Sequence, residues 1–120
     1  MDKNFGEIRV VDEKTGGAKG SKIEQLAWAP PEAMLELGKV YGVGARKYNP
    51  VNYRFGYNWS LSAHALQRHY WRWVGGESID PETGCHHLAH LAWHALTLII
   101  FERRKLGTDD VRWPTLNKND

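Results

Sequence analysis

Apolar positions along this chain group into one short run near the N-terminus and three longer stretches at helical spacing. Glu7 to Val11 reads as a short strand. The Gly/Lys-rich DEKTGGAKGSK after it lacks apolar periodicity and reads as a mobile loop, open to closing over a ligand. The first helix begins at Pro30-Pro31, where proline suits the opening turn and Glu32 meets the helix dipole. Ala33, Met34, Leu37, Val40 and Tyr41 form its stripe, and Gly42 or Gly44 ends it. The second spans Ser60 to Val74, with Ser60 or Ser62 as N-cap and Gly75-Gly76 as its stop. His64, Arg68 and Trp71 share one of its faces, while Leu66, His69 and Trp73 occupy another. The third runs from about Cys85 to Arg104; Arg103-Arg104-Lys105 complements its C-terminal dipole, and Gly107 closes it. No regular pattern covers Arg46 to Trp59, which is a structured loop. These elements predict an all-α fold, a small helical bundle of three main helices with a long structured loop between the first two. Three helices leave much apolar surface, so oligomerisation is expected to complete it. Residues 1–27 form a flexible or partly extended N-terminal arm, 28–106 the helical domain and 107–120 a loosely ordered C-terminal tail.

The third helical stretch carries the most informative polar pattern. GESIDPETGCHHLAHLAWHALTLIIF (76–101) opens with Glu77, Asp80 and Glu82 and continues into an apolar helix interrupted by His87, His90 and His94. At about 100° per residue these histidines lie within about 60° of one another, on one face. Buried polar groups without partners cost about 1–3 kcal/mol each, so the stripe must be satisfied. Three arrangements do this: direct ligation of zinc or another transition metal, hydrogen bonding to helix two as core residues, or lining a pocket that donates to phosphate or base edges with Arg68 and Lys47. The HExxH and cysteine-pair signatures of zinc are both absent.

Glu77 and Asp80 stand at ExxD spacing, which on a helix places two hard oxygen ligands on one face for Mg²⁺ or Mn²⁺. Gly75-Gly76 before and Pro81 after interrupt such a helix, so an acidic turn capping helix three is an equal reading. Glu32 and Glu36 lie one turn apart on helix one, either as a solvated face or as a contribution to metal binding. In the loop, Arg46, Lys47 and Arg54 alternate with Tyr48, Tyr53, Phe55, Tyr57 and Trp59. Cations that contact phosphates beside rings that stack on bases suit a nucleotide. The same residues also suit an aromatic plug at the bundle end with solvated cations. Cys85 beside His86 and His87 makes no nucleophilic pair, because sequence neighbours face different directions on a helix.

Composition narrows the classes. A chain of 120 residues makes one domain. A net charge of +2 is too weak for duplex nucleic acid, though a local excess of Lys and Arg suits one small anion. A single cysteine excludes an internal disulfide and favours a reducing compartment. The charged N-terminus has no secretory pattern, and the longest His-free apolar run, Ala95 to Phe101, is far short of the roughly 20 residues that span a bilayer. A soluble, cytoplasmic protein without a membrane partner is expected. Gly17 to Lys22 lacks the GxxxxGK[ST] spacing of a phosphate-binding loop.

Five segments in order carry a family resemblance: TGGAKGSK (15–22), an aliphatic/Pro segment, YGVGARKYNPVNYRFGYNWS (41–60), LQRHYWRWVGGESIDPETG (66–84) and HLAHLAWHAL (87–96). Over about residues 8 to 101 the chain resembles the phage-encoded dATP/dGTP diphosphohydrolase family, itself similar to the all-α MazG-like nucleoside triphosphate pyrophosphohydrolases. The resemblance implies a helical nucleotide-binding protein of the infected bacterial cytoplasm. With Mg²⁺ or Mn²⁺ it would convert purine deoxynucleoside triphosphates to monophosphates and pyrophosphate. Carried onto this sequence, it implies that Lys47, Arg54 and Arg68 hold phosphates and that Tyr48 or Trp59 stacks on the base. Glu77, Asp80 and Glu82 would hold the metal. His69 and His87 would orient phosphate or water and, with Glu77, form the catalytic set; Asn52, His90 and His94 complete the substrate-binding one. One departure stands out. MazG-like enzymes pair an ExxE helix with an ExxD helix, whereas helix one here offers Glu32 and Glu36 at ExxxE spacing.

The expected function is therefore a metal-dependent pyrophosphohydrolase of dATP and dGTP. The alternative, favoured by the incomplete carboxylate set, is a non-catalytic sponge that sequesters a nucleotide or cyclic-nucleotide immune signal, an anti-defence protein. Either is compatible with a homo-oligomer in which the His/Trp-rich third helix forms the seam.

Overall fold

The computed structural model describes residues 6–114, and the chain divides after Pro30 into two compact units. In the first, β1 (Ile8–Val11) pairs antiparallel with β2 (Ala18–Ser21), Ile8 opposite Ser21 and Val11 opposite Ala18. The Gly/Lys-rich stretch expected as a loop thus supplies a strand and a tight turn. Asp12 shapes that turn: its Oδ1 accepts the Lys14 and Thr15 N–H groups at 2.8 and 3.0 Å, and Gly16 takes the left-handed φ of 77°. Turn chemistry, rather than apolar alternation, makes this hairpin. The fold is mostly helical with a two-stranded sheet, which corrects the all-α expectation.

The second unit holds α1 (Pro31–Lys47), α2 (Trp59–Val74) and α3 (His87–Arg104), with α3 packed against both others. α1 does not stop at Gly42 or Gly44. A glycine inside a helix weakens it by about 1 kcal/mol without breaking it, and the effective stop is Pro50, which disfavours helical geometry in Asn49. Val40, Cys85 and Ala89 form the buried apolar cluster, joined by Val43 and Trp93. Within the loop expected between the first two helices, Asn52–Phe55 forms a 3-10 turn. Its Tyr53 packs edge-to-face on Tyr41 and Trp93, at centroid distances of 6.3 and 6.0 Å.

The segment after α3 is also more ordered than expected. Lys105 turns left-handed at φ 56°, and Leu106 to Asp110 docks on the start of α2. The Trp59 indole N–H donates to Leu106 O at 2.8 Å, and its backbone N–H to Thr108 O at 3.0 Å. Gly56 and Gly107 allow this approach, since a Cβ on Gly107 would stand 2.1 Å from Tyr57 O. The remainder of the expected tail, residues 115–120, lies outside the described residues.

Candidate functional site

α2 and α3 face each other with matched spacing. Ser62, Ala65 and His69 on α2, and His87, His90 and His94 on α3, both follow i, i+3, i+7. Ser62 Oγ lies 2.8 Å from His94 Nδ1, and His69 Nδ1 lies 2.8 Å from His87 Nδ1, so the helices run antiparallel and all three α3 histidines turn to α2. The His69 and His90 rings stack at 4.3 Å and 7°. At the far end Tyr57 Oη extends the line, 2.6 Å from Ser62 Oγ.

The acidic segment between these helices is a loop rather than a helix. Gly76, at φ 103°, turns the chain out of α2, and Ile79 bridges His86 in antiparallel fashion. Asp80 N–H donates to Cys85 O at 2.8 Å, and His87 N–H to Ser78 O at 2.9 Å. This folds Asp80 inward to 4% exposure. Its Oδ1 accepts the Glu82 N–H at 3.0 Å, its Oδ2 accepts the Thr83 hydroxyl at 3.4 Å, and Thr83 Oγ1 also lies 2.7 Å from His90 Nε2. The cap of α3 is His86, whose Nδ1 accepts the Leu88 N–H at 3.0 Å, rather than an acidic residue.

Hydrogen bonding sets the protons. Glu77 Oε1 lies 2.6 Å from Nε2 of fully buried His87. The carboxylate accepts the Nε2–H; with a single proton on the His87 ring, its Nδ1 is then the acceptor and Nδ1 of His69 the donor. The lone pair of His69 is thereby left on Nε2. Burial, followed by the neighbouring imidazoles of His90 and His87, pushes the His69 pKa down to about 4. Burial, then His69 and His90, likewise pushes His94 down to about 4. His90 is also lowered, burial outweighing the opposing pull of the Asp80 carboxylate. At neutral pH these three rings are uncharged, so the 3.6 Å contact of His90 Nε2 with Asp80 Oδ2 is not an ion pair.

Among the described residues, His69, Asp80 and His90 each offer a ligand atom within 4.8 Å of the others. Two imidazoles and one carboxylate suit a divalent transition metal, whereas Mg²⁺ prefers an octahedron of oxygens. Of the carboxylates expected to hold Mg²⁺, only Asp80 belongs to this set. Glu77 is turned to His87, and Glu82 is exposed and contributes its backbone N–H.

The other expected residues lie elsewhere. Trp59 is buried, its N–H engaged by Leu106 and Arg112 lying over its ring at 5.1 Å. Lys47, Tyr48 and Arg54 are exposed, with Lys47 Nζ 5.3 Å from the Tyr48 ring centroid, and Asn52 is half-buried. Arg68 lines a shallow groove on the outer side of α2 with His64, Gln67, Trp71 and Arg72. Ser62, Thr83 and Tyr57 are partners of the cluster that sequence reasoning missed. The available signal was the i, i+7 relation of Ser62 to His69, which mirrors the spacing of His87 and His94.

The family described as "dATP/dGTP diphosphohydrolase, N-terminal" matches residues 13–111, which include every residue of the cluster. A protein named dATP/dGTP diphosphohydrolase from Salmonella phage PMBT28 is 29% identical over 98 residues. That alignment covers 78% of this chain and 33% of the relative, so the chain spans about a third of the relative's length. No solved structure gives a significant match.

Proposed function

This chain belongs to the dATP/dGTP diphosphohydrolase N-terminal family, and on that premise we propose that it hydrolyses purine deoxynucleoside triphosphates. Water would add to a phosphorus at the α–β junction, giving dNMP and pyrophosphate. The observation that carries the reading is the seam between α2 and α3. Five ionisable side chains, His69, Glu77, Asp80, His87 and His90, meet there where a structural helix pair would bury leucines. Such clusters are difficult to justify by stability alone and concentrate at reacting centres.

The roles follow from the hydrogen bonds. Glu77 holds His87, His87 orients His69, and the Nε2 lone pair of His69 is the one left to act on a bound substrate or water. A divalent cation belongs to the proposal; it would polarise phosphate oxygens and lower the pKa of a bound water. Arg68 and Arg72 on α2, with Lys47 and Arg54 on the loop, are the cations available to phosphates, and Tyr48 is the exposed ring available to a base. Self-association is part of the same proposal. α2 leaves Leu61 and Trp71 exposed and α3 leaves Ile99, and sedimentation of the purified chain reads the subunit number.

The test is incubation with dATP or dGTP and Mg²⁺ or Mn²⁺, followed by chromatography of the nucleotides and assay of pyrophosphate. Equal yields of dNMP and pyrophosphate support the enzyme. Stoichiometric binding with intact nucleotide recovered after denaturation would overturn it and favour sequestration.

A further inference from the structure

We propose that the groove on the outer side of α2 is a base-recognition subsite, in which a purine stacks on Trp71 and Gln67 selects a 6-oxo ring, so that guanine is preferred to adenine. Such a subsite deepens the activity proposed above and rests on it, while the binding itself is read without turnover.

The faces of α2 order the groove. At about 100° per residue, Gln67, Trp71 and His64 lie away from α3, and Arg68 and then Arg72 lead round to Ala65 and His69 at the seam. His64, Gln67, Arg68, Trp71 and Arg72 line a space of about 510 Å³, within the range of small-ligand sites. α2 contains no Asp or Glu, and among the described residues neither arginine has a carboxylate partner. Two like charges one turn apart repel, and an anion seated on both guanidinium groups removes that cost. After burial and the neighbouring rings, the Arg72 charge contributes to lowering the His69 pKa, and the Arg68 charge to lowering that of His94. The cationic edge of the groove therefore borders the seam. A nucleotide lying across α2 would set its phosphates on the arginines, toward His69, and its base on Trp71.

The indole and the amide beside it set the specificity. Trp71 is 61% exposed, whereas the Tyr48 ring already has Lys47 Nζ at 5.3 Å from its centroid. The Trp71 Nε1–H, which can only donate, meets Gln67 Oε1 at 3.1 Å. That bond fixes the amide: its oxygen is turned to the indole, and its NH₂, without a partner among the described residues, is what Gln67 presents at the rim of the ring. An amide donor matches the O6 and N7 acceptors of guanine. Adenine sets an amino donor where guanine has O6, so two donors would face each other.

Calorimetric titration of EDTA-treated full-length protein with dGTP, dATP and the deoxyinosine triphosphate dITP tests the subsite. dGTP and dITP, which share O6, should bind about 3–10-fold tighter than dATP, the worth of one hydrogen bond. Trp71→Ala should weaken all three by about 10–100-fold. Trp71→Phe keeps a ring and frees the amide to turn, so it should retain affinity and lose the preference. Gln67→Glu presents an acceptor and should reverse the ratio of dGTP to dATP affinity, whatever its charge does to the phosphates. Both positions are exposed on α2, so these variants leave the core intact. No binding, equal affinity for dGTP and dATP, or a preference unchanged in Gln67→Glu and Trp71→Phe would overturn the subsite. So would a Trp71→Ala protein that loses self-association and keeps its nucleotide affinity, since the indole would then be a subunit contact. Selective binding without hydrolysis under Mg²⁺ or Mn²⁺ sinks the activity alone; hydrolysis equally fast for dGTP and dATP and unchanged in Trp71→Ala sinks the subsite alone.

Discussion

His69 Nδ1 and His87 Nδ1 face each other at 2.8 Å, and only one of the two nitrogens carries the proton between them. Glu77 decides which, because its carboxylate accepts from the other side of His87 at 2.6 Å. In Glu77→Gln the amide can turn either its oxygen or its NH₂ toward His87, and the choice is lost. The expected outcome is a mixture of His69 tautomers in nitrogen-edited NMR and a fall in dNTP turnover of about 10–100-fold. The melting temperature should move little, since the Glu77 side chain is 48% exposed. A single His69 tautomer retained in the variant would refute the assignment.

The depressed histidines make stability depend on pH. His94 has a pKa of about 4 in the fold against 6.5 when free, so the unfolded chain binds the proton first as the medium acidifies. Its contribution is complete above pH 6.5 and is lost as pH falls through about 4. His69 acts in the same direction. Metal-free protein should therefore melt at lower temperature at pH 4.5 than at pH 7.5, and His94→Gln should narrow that gap. Equal narrowing in a variant of exposed His64 would remove His94 from the explanation.

Much of this architecture was legible in the chain, and the failures have physical causes. The helical spacing of His87, His90 and His94 placed them on one face, and Gly75-Gly76 with Pro81 signalled that the acidic segment is not helical. The hairpin was not legible from periodicity, because the strand-forming AKGS has no apolar alternation and depends on the Asp12 turn for its pairing. The site was legible in its parts and not in its assembly. Glu77, Asp80 and Glu82 lie close in sequence, but the loop sends Glu77 to His87 and Asp80 to His90, and leaves Glu82 outside. Long-range closure also fixed Trp59, whose ring looked available to a base until the segment after α3 packed over it.

Glycines of similar appearance should respond oppositely to alanine. Gly107 has φ 67°, and an added Cβ would meet Tyr57 O at 2.1 Å, so Gly107→Ala forces the Leu106–Asp110 segment off the start of α2. Left-handed strain plus the clash should cost about 2–4 kcal/mol in urea denaturation. Gly42 lies inside α1 with nothing within 4 Å of its would-be Cβ. Gly42→Ala should stabilise by about 0.5–1 kcal/mol. If the two substitutions had the same sign, the docking of Gly107 on Tyr57 would not be the cause.

The cap of α2 comes from 50 residues away. Asn58 occupies the N-cap position without a side-chain bond, and neither Ser60 nor Ser62 takes its place. Instead Asp110 Oδ1 accepts the Ser60 N–H at 2.8 Å and Oδ2 accepts the Ser60 hydroxyl at 2.6 Å, setting a carboxylate at the positive end of the helix. The Ser60 hydroxyl first, and its N–H second, hold the Asp110 pKa below its ordinary 3.8. The stabilisation is thus present above that ordinary value and lost as pH falls through the lower folded one. Asp110→Ala should lower the melting temperature by a few degrees at pH 7, and Asp110→Asn, which keeps one acceptor oxygen, should lower it less. Because this cap anchors the end of α2 nearest Ser62 and His94, Asp110→Ala should also speed amide exchange in the first turn of α2 while leaving Trp71 to Val74 protected. Uniform exchange along α2 would show that the helix start does not depend on this carboxylate.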